Sequence, residues 1–227
     1  YWINKSKMQL QVDFLETHKD YSGCTTKFIS YSVALNKIYA IVGSEYKTSY
    51  DMLWRDLQFG TATLLFKFVY FQMYLKDIQP QNKNWLMGDK PLMFYLGSCG
   101  FVANINEICC VYRILDNSAS HSSDMNLQLK RARNTIDIYK FFADRYYPDD
   151  YKLQERIEGG YLYRAYLIYR KSKSKLPRNL VDSIANYKGS YPKLKVIKKI
   201  IRFPILQNII YYIAGIRTKV KSVITKK

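Results

Sequence analysis

Four residues, Gly88-Asp89-Lys90-Pro91, stand directly ahead of the apolar run Leu92-Met93-Phe94-Tyr95-Leu96, and few conformations suit that order. Proline belongs in the first turn of a helix, where its missing N–H would have had no partner, so the helix must begin near Asp89. A helix N-terminus favours negative charge and holds it in a fixed direction. Gly97 and Gly100 mark the end of that helix, and residues 105–114 read as a buried strand running into the polar loop Asp116-Asn117-Ser118. A helix, a turn and a returning strand would deliver the Asp89 carboxylate and the Arg113 guanidinium to a common edge.

The flanking pattern predicts an α/β fold. Residues 5–18 read as a helix with Leu10, Val12 and Phe14 inward, 21–32 as a strand, and 37–42 as its partner after a turn at Asn36. Residues 49–57 read as a helix capped by Ser49, and 59–67 as a turn leading into a threonine-rich strand. An aromatic run at 68–75 is followed by a loop at 77–84; long helices are predicted over 124–146 and 153–172.

With 227 residues, 48% of them hydrophobic, the chain can bury a sizeable core. Its net charge of +18 is unevenly placed, since residues 171–227 carry 15 Lys and Arg against Asp182 alone. In 191–202, Lys193, Lys195, Lys198 and Lys199 alternate with Leu194, Val196, Ile197, Ile200 and Ile201; a second apolar segment, 205–216, follows Pro204. Such faces fit a helix pair on an anionic membrane, where each lysine near the surface adds about 1 kcal/mol. The apolar run at 203–216 is shorter than the roughly 20 residues a spanning helix needs. Nucleic acid is not expected as a partner, because the basic residues sit among aliphatic rather than stacking aromatic side chains. Cys24, Cys99, Cys109 and Cys110 form no C-x-x-C pair and read as buried small hydrophobes in a reducing compartment. The expected location is cytoplasmic, peripheral at the inner face of the membrane.

Two pieces of the chain resemble the second half of family-2 glycosyltransferases of the GT-A type. One runs from Tyr1-Trp2 through Lys7, Gln11-Val12 and Phe14-Leu15; the other runs from Gly88-Asp89 to Val111-Tyr112-Arg113. The resemblance covers residues 1–146. It implies that Asp89 is the general base that deprotonates the acceptor hydroxyl, with Gly88 beside it. In that family an acidic metal-binding motif precedes the Tyr-Trp pair, so the resemblance implies a nucleotide-binding half upstream of Tyr1 that holds Mg²⁺ or Mn²⁺. Trp2 and Arg113 would then lie among the substrate-binding residues.

The resemblance also implies Thr63 as a donor-site hydroxyl, in a segment where Lys67 stands in place of the family's arginine. Trp85 would be a platform for a sugar ring, and His121 a group assisting at the metal or diphosphate. A plain structural role stays open for each: threonines favour strands, tryptophans anchor cores, and His121 lies among serines suited to capping the next helix.

The expected function is inverting transfer of a sugar from a nucleotide-sugar donor to a hydroxyl of a saccharide or lipid-linked saccharide, in surface polysaccharide or glycan synthesis. The competing expectation is a non-catalytic protein of the membrane surface. The expected division is a transferase half at 1–146, a helical appendix at 147–190 and a basic tail at 191–227.

Overall fold

A computed structural model describes residues 1–43, 48–55, 60–115 and 124–202. The chain divides into two compact units, Tyr1–Ile157 and Glu158–Lys227.

The first unit is built on one mixed sheet, so the α/β expectation holds. Its central strand β1 (Tyr21–Ser32) pairs along its length with parallel β4 (Phe101–Ile114), from Tyr21 opposite Phe101 to Ser32 opposite Ile114. Along its other edge β1 takes β2 (Lys37–Val42) and then the two-residue β3 (Leu65–Phe66), both antiparallel. Asn36, with φ 46°, makes the left-handed turn between β1 and β2, a conformation Asn tolerates better than most residues. The free edge of β4 is met by the first residues of the chain: Trp2 bridges Cys110, and Tyr1 and Val111 exchange backbone hydrogen bonds.

Helices α1 (Lys7–Thr17), α2 (Ser49–Arg55), α3 (Phe68–Ile78), α4 (Asp89–Cys99) and α5 (Met125–Tyr146) belong to this unit, together with the start of α6 (Tyr151–Lys171). The predicted helix start at Asp89 is the observed one, with Gly88 as N-cap. Met93 and Leu96 of α4 are fully buried, and burying side chains of this size stabilises by about 1.5–3 kcal/mol each. Phe94 meets Tyr139 and Phe142 of α5 with ring centroids 5.0 and 5.4 Å away. Gly97 lies inside the helix rather than at its end, because α2 crosses there: a Cβ on Gly97 would stand 2.6 Å from the Ser49 backbone nitrogen.

Three local expectations are corrected. Helix α2 is capped by Thr48, whose Oγ1 accepts from Asp51 N while Asp51 Oδ2 accepts from Thr48 N; Ser49 Oγ instead meets Tyr147 OH at 2.6 Å. Residues 61–63 form a single 3-10 turn, and only Leu65–Phe66 is strand. In α1 the buried residues are Lys7, Gln11 and Leu15, a face offset from the apolar one expected, while Val12 is exposed.

In the second unit, α7 (Arg178–Asn186) and α8 (Pro192–Arg202) follow the rest of α6. Leu180 and Ile184 of α7 and Leu194, Ile197 and Ile201 of α8 are buried. The apolar side of 192–202 that fits a membrane in the sequence is therefore covered by protein, leaving Lys195, Val196 and Lys199 outward. The apolar segment 205–216 and the rest of the tail lie outside the described residues. Among the described residues no helix is long and apolar enough to cross a membrane.

Candidate active site

The 3-10 turn Thr61–Thr63 meets the start of α4. Thr61 Oγ1 donates to Asp89 Oδ2 at 2.8 Å, and Asp89 Oδ1 accepts from the Lys90 backbone N–H at 2.8 Å. Each carboxylate oxygen thus has one fixed donor and keeps lone-pair capacity for another. The carboxylate is half-buried, and a Cβ on neighbouring Gly88 would meet nothing within 4 Å, so the space before the helix start is open. The Lys90 ammonium turns away from this space, donating to Tyr139 OH at 3.0 Å.

The turn is held from behind at Ala62 and Thr63. Thr63 N and Thr63 Oγ1 both donate to Gly60 O, at 2.8 and 2.7 Å. Ala62 O accepts from Trp2 Nε1 at 3.1 Å and from Cys110 Sγ at 3.6 Å. Thr63 O accepts from Gln11 Nε2 at 2.8 Å; that amide also donates to Cys24 O at 3.1 Å, and its Oε1 accepts from Lys7 Nζ at 2.6 Å. The Lys7 ammonium lies 4.4 Å from the centroid of the Trp2 ring. The first residues of the chain and the segment that begins at Gly88 therefore converge on one turn.

The remaining candidate residues fall as follows. Thr63 is fully buried, with its hydroxyl engaged by Gly60 O; the threonine at the open carboxylate is Thr61. Trp2 is 54% exposed beside the turn. Trp85 is half-buried against α5, its ring 5.3 Å from Phe141 and 6.2 Å from Phe142. Arg113 is exposed and opposite Tyr31 in the sheet. At ~3.3 Å per residue it lies about 10 Å along β4 beyond Cys110. Among the described residues no ion pair joins Arg113 to Asp89. His121 lies outside the described residues.

Three residues here were not among the expected site residues: Thr61, and Lys7 and Gln11, which entered the sequence reading only as part of the resemblance. Lys7 and Gln11 stand four apart, the spacing that stacks two side chains on one helix face, and that is the signal the sequence offered for them. Among the described residues no three His, Cys, Asp or Glu side chains gather as metal ligands. No protein-family model matches this chain, and no curated protein matches it.

Proposed function

We propose that residues 1–146 are the acceptor-activating half of an inverting glycosyltransferase with GT-A-type architecture. The observation that carries this reading is the Asp89 carboxylate, half-buried at the first position of a buried helix and fixed there by Thr61. A general base needs an oxygen within about 2.6–3.2 Å of the proton it removes, held so that no reorientation is needed when the acceptor arrives. Asp89 removes the proton from an acceptor hydroxyl as that oxygen bonds to the anomeric carbon of a nucleotide-sugar. The bond from that carbon to the diphosphate breaks on the opposite face, the nucleoside diphosphate leaves with the electron pair, and the configuration inverts. Mg²⁺ or Mn²⁺ is what the family resemblance adds, and when bound it would offset the charge that develops on the leaving diphosphate.

The test is made on the natural gene product, with a panel of UDP-, GDP- and dTDP-hexoses as donors and source-cell membranes as acceptor. Asp89→Asn is expected to lower transfer by roughly 10²–10⁴-fold while donor binding stays near wild type. Transfer at the wild-type rate by this variant removes Asp89 from the mechanism.

A further inference from the structure

We infer that Lys7, Gln11 and Trp2 form a clamp that positions Asp89 through the Thr61–Thr63 turn. This rests on the reading of Asp89 as the base. Lysine is almost never fully buried unless paired, yet Lys7 is 1% exposed, and its partners are the neutral Gln11 amide and the face of an indole.

Stability alone does not account for such a residue, since apolar side chains of similar volume often replace buried charges without loss. What the ammonium does is fix one orientation of an amide. Gln11 has a donor end and an acceptor end; with Lys7 donating to Oε1, the Nε2 end must face Cys24 O and Thr63 O. Without Lys7, Oε1 has no buried donor and the amide is free to turn, which would set oxygen against two carbonyl oxygens. Thr63 O and Ala62 O, the two carbonyls held by Gln11 and Trp2, directly follow Thr61, whose hydroxyl orients the carboxylate. The clamp acts on the carboxylate through the turn.

The test compares wild type, Lys7→Met, Thr61→Ala, their double variant and Asp89→Asn in the full gene product, with the same nucleotide-hexose panel and membrane acceptor. Lys7→Met is expected to keep the wild-type melting temperature or exceed it, and to lower kcat about 10-fold or more with donor KM changed less than about twofold. In the Thr61→Ala background Lys7→Met is expected to cost less than about twofold, because the path it acts through is already cut. Amide exchange at Thr63 is expected to speed up in Lys7→Met while that of α5 does not change. If Lys7→Met does not fold, Trp2→Phe decides, since it keeps a ring over the ammonium and loses only the bond to Ala62 O. Its smaller kcat loss should likewise vanish in the Thr61→Ala background.

Full additivity of the Lys7 and Thr61 losses, or unchanged Thr63 exchange, overturns the clamp while a deficient Asp89→Asn leaves the base in place. Wild-type transfer by Asp89→Asn overturns both.

Discussion

Thr61 and Asp89, 28 residues apart in the chain, are joined by a 2.8 Å hydrogen bond that no local rule of sequence places. Two positions later, Thr63 spends its hydroxyl on Gly60 O inside the same turn. Neighbouring threonines of one type thus have separable roles. Thr61→Ala is expected to lower transfer about 10-fold with little change in melting temperature, and Thr61→Ser to restore most of it. Thr63→Val, which keeps the shape and removes the hydroxyl, is expected to cost about 1 kcal/mol of stability. Denaturant titration and transfer rates on the same samples check both; loss of stability alone in Thr61→Ala would assign that residue to packing.

Trp85 lies against Phe141 and Phe142, and its ring is part of the support for α5. Trp85→Ala should lower stability by about 2–3 kcal/mol, somewhat less than full burial implies because the ring is half-covered. Trp85→Phe should recover most of that. Equilibrium unfolding reads the difference. A variant with native stability but weakened acceptor saturation would give the ring to the sugar instead.

Helix α8 divides its residues sharply. Ile197→Ala removes a buried side chain and should cost about 2–4 kcal/mol in the unfolding of the second unit. Val196→Ala, at a site 61% exposed, should stay within about 0.5 kcal/mol of wild type. The outward lysines are the part of α8 suited to an anionic surface. Lys195→Glu with Lys199→Glu should weaken binding to phosphatidylserine vesicles, since each lysine near the surface contributes about 1 kcal/mol. Unchanged vesicle binding would exclude this face of α8 from the contact.

Burial pushes the Cys24 thiol up to about 11, against the lowering effects of the Gln11 amide and the Lys7 charge. The folded state therefore holds this proton to higher pH than the unfolded state does. Its contribution to stability is complete below the unfolded thiol's ordinary value of 9.0 and is lost as pH rises through about 11. Unfolding measured from pH 8 to 11 should fall less steeply for Cys24→Ala than for wild type. Parallel slopes would mean the thiol titrates alike in both states.

The strands at 21–32 and 37–42 and the helix start at Asp89 were legible because each rests on a local signal: a run of β-branched and aromatic residues, a turn-forming Asn, a proline in a first turn. The threonine-rich segment was not. Its residues favour a strand, but Gly60 O takes both the N–H and the hydroxyl of Thr63, and Trp2 and Gln11 hold Ala62 O and Thr63 O from 60 and 52 residues away. Helix α1 misleads for a related reason. Hydrophobicity points to Leu10 and Phe14, whereas the face turned inward is polar at Lys7 and Gln11, whose partners are revealed only by the fold. In α8 the pattern did give the buried side; it did not give what covers it, because a membrane and a neighbouring helix ask the same of an amphipathic sequence.

The parallel pairing of β1 with β4 also sets the order in which the molecule can be built. Parallel neighbours need a long crossover, and here everything from Ser32 to Phe101, the Thr61 turn and Asp89 included, lies within it. Closing so long a loop costs entropy before any contact returns it, so such topologies fold slowly. Among the described residues Trp2 reaches the sheet by bridging β4, the last of the described strands to emerge during synthesis. The bridge that fixes Trp2 to the sheet can therefore form only once the chain has been made as far as Cys110, after the turn and the carboxylate beside it have already been synthesised.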